Sequence, residues 1–274
     1  MKNIRFNPEQ IILAVICGGI LSIPAVAHAQ ASYTINDSTA AAFMASGSPG
    51  NPDGANLTET NYGNAGTLAI APASSTKGAF SSVLLFNTAS AVSDFNSLYG
   101  TGNWTVTGVT LSLASNFGVQ GMQPNNLIFN TINAGSFGID WLADNSWTPG
   151  TGGGSGTPGY PYNDDVDYAY IPTLMSDGYD SLGDFTYTPP GNNVYQTYTM
   201  PTDSGLDTAA ADGAVSLYFY AADNQVSYLF NSQVFASNHP ELTLTATVVP
   251  EPTTLALSGV AAGLLLAARC GRKS

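Results

Sequence analysis

Along most of the chain, apolar residues alternate with threonine and serine at a period of two. Trp104-Thr-Val-Thr-Gly-Val-Thr-Leu-Ser-Leu113 is one such run, and Val194 to Met200, Ala214 to Tyr220, Val226 to Phe230 and Glu241 to Val249 are others. This spacing turns one face of a strand to the core and a hydroxyl face to water. Shorter runs at Thr67 to Ala71, Ser81 to Phe86, Leu127 to Ile132 and Phe137 to Leu142 predict further strands. Only Ala91 to Tyr99 and Leu206 to Asp212 carry a helical pattern. Strands separated by Gly, Asn, Ser and Pro loops predict an all-β fold, a single jelly-roll-like antiparallel β-sandwich with long loops.

One segment breaks the rhythm. Thr148 to Pro161 holds six glycines and three prolines in 14 residues, a composition that does not pack. It reads as a long loop inside one domain spanning residues 30–249, with a linker between two domains as the alternative.

The two ends have their own chemistry. Lys2 and Arg5 precede an apolar stretch, Ile11 to Ile23, and Ala27-His28-Ala29 offers a small-x-small cleavage site, which makes residues 1–29 a cleavable secretory signal. At the other end, Pro250-Glu251-Pro252 leads into an apolar segment at 255–268, followed by Arg269, Arg272 and Lys273. A rigid Pro-x-Pro, a hydrophobic transmembrane helix and terminal cations form a stop-transfer tail that ties the chain to a membrane. In this order the three parts resemble the PEP-CTERM sorting signal of Gram-negative bacteria. The resemblance implies recognition of residues 250–274 by exosortase, a membrane protease-transpeptidase of organisms that make extracellular polysaccharide. It also implies a protein exported to the cell surface, the outer membrane or the extracellular matrix.

Charge narrows the function of what lies between. The 274 residues carry 6 Lys plus Arg and 19 Asp plus Glu, a net −13, and five of the cations sit in the two ends. The body keeps 17 acids and Lys77, a net of −16. Nucleic acid is excluded as a partner, because phosphate binding needs clustered Lys and Arg. Both cysteines, Cys17 and Cys270, lie in the ends, so the body has no disulfide, no thiol nucleophile and no Cys-ligated metal. His239 is its one histidine, and Ser237-Asn238-His239-Pro240 reads as a turn.

A second resemblance covers most of the body. Asn61-Tyr62-Gly63 before Leu68-Ala69-Ile70, Ser81 to Asn87, Val106 to Leu113, Trp141 to Trp147, and Phe230 to Gln233 with Pro240 to Leu244 follow one another as in the DNRLRE-type β-sandwich domain. The marker arginines of that family are missing here, Asp144 stands for its Glu, and Asn87 for its Asp. The resemblance implies a jelly roll and carbohydrate binding.

Candidate chemistry concentrates in Tyr160 to Tyr187, where six of the 14 tyrosines fall among six aspartates. Aromatic faces stack on the C–H patches of sugars while carboxylates take hydroxyls, so Tyr160, Tyr162, Tyr168 and Tyr170 are candidate glycan contacts. Trp147, beside the glycine-rich loop, joins them as the tryptophan expected to be exposed. Asp164, Asp165 and Asp167 are candidate Ca²⁺ ligands, since Ca²⁺ takes six to eight oxygens from such acidic loops. The plain alternative is a solvated acidic loop pinned to the sandwich by its tyrosines. With Glu59 and Glu241 its only glutamates and no distinctive pair among its aspartates, the body reads as non-catalytic. The expected function is association with a polysaccharide matrix by glycan binding, with a secreted polysaccharide-degrading enzyme using Asp carboxylates as the alternative.

Overall fold

The computed structural model describes residues 29–47, 57–73, 78–116, 133–150, 166–202 and 205–249. Outside them lie the signal peptide, the strand expected at Leu127 to Ile132, and most of the glycine-rich segment. Tyr160, Tyr162, Asp164, Asp165 and everything from Pro250 on, including Glu251, Pro252, the apolar segment 255–268, Arg269, Arg272 and Lys273, also fall outside. Among the described residues no helix is long and apolar enough to cross a membrane.

The described residues form eleven strands. These are β1 (Gln30–Ile35), β2 (Ala40–Ala45), β3 (Thr67–Ile70), β4 (Phe80–Asn87), β5 (Trp104–Ala114), β6 (Gly135–Leu142), β7 (Tyr179–Tyr187), β8 (Tyr195–Met200), β9 (Ala214–Ala221), β10 (Tyr228–Asn231) and β11 (Glu241–Val248). Helices α1 (Ala89–Tyr99), α2 (Ile171–Leu174) and α3 (Gly205–Asp212) connect them. One sheet has the order β1-β11-β5-β8 and the other β2-β4-β9-β6-β7, with β3 and β10 paired separately. Antiparallel pairs nest around the middle of the chain: β6 with β7, then β5 with β8, β4 with β9, and β1 with β11 outermost. A long hairpin wrapped on itself in this way is a jelly roll, the expected architecture.

The expected helices form where their apolar residues recur at helical spacing. Ala91 and Phe95 of α1 lie one turn apart and are both buried, and the helix stops at Gly100, whose φ of 86° suits glycine. Between the two sheets, Phe137 sits among Tyr198, Phe219, Phe230 and Phe185, with ring centroids 5.1, 6.4, 6.2 and 6.0 Å away. The outer face of the four-stranded sheet is the hydroxyl face that the alternation requires. Ser32 meets Thr245, Thr34 meets Thr243 and Ser112 meets Thr197, each at 2.9 Å.

Each of the four nested pairs joins a strand that precedes the glycine-rich segment to one that follows it. The ends of the segment are also tied together. The Val166 N–H donates to Thr148 O at 2.9 Å, and the buried Asn61 amide donates to Pro149 O at 2.6 Å and Val166 O at 3.0 Å. The Gly63 N–H in turn donates to Asn61 Oδ1 at 3.2 Å. A Cβ on Gly63 would fall 1.7 Å from Pro149 O, so only glycine admits this approach.

Three features differ from the sequence reading. Strands β1 and β2 form where none was expected; β2 is Ala-Ala-Ala-Phe-Met-Ala, poor in β-formers, and is held by pairing with β4 and by burial on both faces. Strand β7 occupies the second half of the Tyr/Asp window, which had read as loop. Its register against β6 shifts around Leu182, with Gly183 at a φ of 104°, so Leu182 and Tyr187 both face the core across a bulge. Trp147 is the third case. It is 3% exposed, and its Nε1 donates to Ser216 Oγ at 3.1 Å, because residues after β6 fold back over the outer face of the five-stranded sheet.

Burial also sets how the fold responds to alkali. It pushes the Tyr187 phenol up to about 12, partly offset by Ser115, and raises Tyr198 further, with the neighbouring Tyr187 adding to the effect. Between the ordinary value of 10.0 and these raised values the folded protein keeps protons that the unfolded chain has released. Stability is therefore intact below about pH 10 and falls above it. A phenolate absorbance titration is expected to show a lagging class of tyrosines that ionises together with loss of β-sheet circular dichroism. Full ionisation of all tyrosines in a still-folded protein would contradict the packing of Tyr187 and Tyr198.

Candidate functional site

The outer face of the five-stranded sheet carries a second set of aromatic residues. In β9, Val215, Leu217 and Phe219 point to the main core, which turns Ser216, Tyr218 and Tyr220 outward. The two tyrosine rings stack at 5.6 Å with an interplanar angle of 25°. Next to them in β6, Gly138 lies opposite Tyr220 and Asp140 opposite Tyr218. A Cβ at position 138 would come within 2.2 Å of Tyr220 Cζ, so the glycine is what lets that ring lie against the sheet. On the other side of β6, edge strand β7 places Asp184 opposite Gly138 and Ser181 opposite Asp140.

Around this face the chain builds an open cleft of about 810 Å³. Asp140, Tyr218 and Tyr220 line it together with Tyr168, Met175, Tyr179 and Ser181 and with residues 71–73, 79–81 and 221–224. Tyr218 shares a hydrogen bond with Ser81 Oγ at 3.1 Å, and the Tyr220 hydroxyl donates to Asp140 Oδ1 at 3.4 Å. Asp140 is 4% exposed. The described residues contain no lysine or arginine, so none of them neutralises it.

Two carboxyls of the cleft are displaced in opposite directions. Burial pushes Asp140 above its ordinary value; hydrogen bonds from Ser181 and Tyr220 work against this, and the charge of Asp184 adds to it. At Asp223 burial also acts upward but is outweighed by the backbone N–H groups of Gln225, Val226 and Ser136, at 2.8, 2.8 and 2.7 Å, which hold the carboxylate below its usual range. Asp223 is thus a fixed anion that orders its own turn.

The buried carboxyl of Asp140 makes the fold sensitive to pH. Between 3.8 and its raised value the folded protein holds a proton that the unfolded chain has lost, so stability falls as pH climbs through that window, and the cost persists above it. Asp140→Asn is expected to raise the unfolding temperature at neutral pH, with the gain disappearing below about pH 4. A gain that does not change with pH would show that charge burial is not its source.

Of the residues singled out from sequence, Tyr168 reaches the cleft. Tyr170 packs against the apolar cluster beside it, and Trp147 is part of that cluster. Asp167 is buried, and its Oδ1 accepts the Tyr170 N–H at 2.9 Å, capping the short 3-10 turn Tyr168–Tyr170. Among the described residues no group of three His, Cys, Asp or Glu side chains is placed to hold a metal. His239 lies in the irregular segment just before β11, with Nδ1 3.1 Å from Asp37 Oδ2 and Nε2 2.7 Å from Phe235 O. Asp140, Tyr218 and Tyr220 were missed. Their signal was present: most strands carry Thr or Ser on the wet face, whereas this pair of strands carries two tyrosines and an aspartate there.

Residues 248–273 match the PEP-CTERM protein-sorting motif. The chain is therefore an exported, envelope-associated protein of the Gram-negative type that an exosortase system handles. No curated protein matches it. The matched segment begins at the last residue of β11, and the Val249 N–H still donates to Asn103 O at 2.8 Å, so sorting signal and folded body adjoin without a spacer.

Proposed function

We propose that the protein is a non-catalytic glycan-binding module of the cell envelope, and that the cleft over Asp140, Tyr218 and Tyr220 is its binding site. The observation that carries this reading is the stacked tyrosine pair beside a buried carboxylate in an open cleft. Aromatic faces take the C–H side of a pyranose, while Asp140, Ser181 and Asn224 take hydroxyls. The raised Asp140 costs stability at neutral pH, which is what a site retained for binding looks like. Export to a surface where polysaccharide is made supplies the ligand. Ca²⁺ at Asp164, Asp165 and Asp167 would require Asp167 to give up its cap, and the cleft needs no metal to present its groups.

Affinity electrophoresis through gels of neutral, basic and acidic polysaccharides tests the reading. Retardation is expected in at least one gel, with Tyr220→Ala weakening it about tenfold. No retardation in any gel would overturn it. A glycosidase is the competing reading, favoured by the opposite displacement of two carboxyls in one cleft. Asp223, however, commits both oxygens to backbone N–H groups, Oδ1 to its own turn and Oδ2 to Ser136 of β6. Release of reducing ends that Asp140→Asn abolishes would establish the enzyme instead.

A further inference from the structure

Resting on the glycan reading of the cleft, we infer that its ligand is a polysaccharide bearing free amino groups, an unacetylated hexosamine polymer held as ammonium between the Tyr218 and Tyr220 rings and the Asp140 and Asp184 carboxylates. The charge of the cleft is the starting point. Asp184 is exposed on the edge strand, opposite Gly138, and near enough to act on both Asp140 and Tyr220. Asp223 adds a fixed anion at the rim. No described lysine or arginine offsets the three.

That field sorts glycans by charge. A uronic or sulfated sugar brings an anion against like charges and is rejected. A neutral sugar gains ring stacking and hydrogen bonds but brings no positive charge to offset the carboxylates. An ammonium gains both: aromatic faces present the negative side of their quadrupole to a cation, and a carboxylate supplies a charge-assisted hydrogen bond. Because Tyr220 lies over Gly138 and stacks on Tyr218, the aromatic rings, Asp140 and Asp223 line one cleft, and Asp184 stands beside it on β7, opposite the glycine that Tyr220 covers. The burial that resists ionisation of Asp140 is relieved when a cation enters, so the group that costs the empty protein stability becomes a contact in the complex.

Isothermal titration at about pH 6, where hexosamine nitrogens are protonated, tests this on the full exported body. The probes are a glucosamine hexamer, its fully N-acetylated counterpart, cellohexaose and a galacturonic acid oligomer. The glucosamine hexamer is expected to bind about tenfold tighter than the acetylated one, and the acidic oligomer not at all. Asp140→Asn and Asp184→Asn are expected to erase the amine preference, so that the glucosamine and acetylated hexamers bind alike, and Tyr220→Ala to weaken both. Asp94→Asn, on exposed α1, and Lys77→Gln, which removes the one cation of the body, are expected to keep the preference. Equal binding of amine and acetylated oligomers would overturn the inference and leave the glycan reading standing; failure of all four probes to bind would remove both. A preference lost as fully in Asp94→Asn as in Asp140→Asn would trace it to bulk acidity and overturn the assignment to the cleft. Circular dichroism of each variant confirms that it is folded.

Discussion

Phe137→Ala is expected to lower the free energy of unfolding by about 3–5 kcal/mol. The ring has no exposed surface and touches four other aromatic rings drawn from β7, β8, β9 and β10, so it joins both sheets and the separate β3–β10 pair. Truncation removes its burial energy and leaves a void whose walls are large rings on strands fixed by hydrogen bonds. Those walls cannot close in, which places the cost at the upper end for core truncations. Against a total stability of about 5–15 kcal/mol this is a large fraction. Urea denaturation monitored by tryptophan fluorescence gives the number, and a loss under about 1 kcal/mol would mean that Phe137 is not the hub of the core.

Asn61→Asp is expected to cost about 2–4 kcal/mol, more than Asn61→Ala. The substitution keeps shape but puts a carboxylate oxygen where an amide now donates to Pro149 O and Val166 O, so donor becomes acceptor against two carbonyls. Alanine only leaves those carbonyls short of a partner. Both variants untie the base of the glycine-rich segment, so limited proteolysis within 150–166 should accelerate well before global unfolding does. Cleavage at the wild-type rate in Asn61→Asp would show that the clamp does not hold the segment.

The sequence was most informative where one face of a strand met the core and the other met water. The runs at 104–113, 214–220 and 241–249 and both short helices could be read directly, because alternation or helical spacing is itself the imprint of one-sided burial. It was least informative where that premise failed. Strand β2 is buried on both faces and built of alanine, so it has neither period nor propensity. Strand β7 changes phase at its bulge, which scattered its inward residues over even and odd positions and made a regular edge strand look like an acidic loop. The site suffered from the same limit. Tyr168 was found through local tyrosine density, but Asp140, Tyr218 and Tyr220 lie 28, 50 and 52 positions from it in sequence, and the aspartate meets the two tyrosines only because β9 pairs with β6. Counting residues in a window cannot see a cleft assembled across strands.

The join between β11 and the tail has a mechanical side. Any tension on the segment beyond Val249 enters the body through β11, which is hydrogen-bonded along its length to β1 on one flank and β5 on the other. A lengthwise pull loads those two ladders together instead of peeling them apart bond by bond. The strand that meets the sorting segment is thus gripped from both sides, and a pull on it strains a zipped seam and not a loose end.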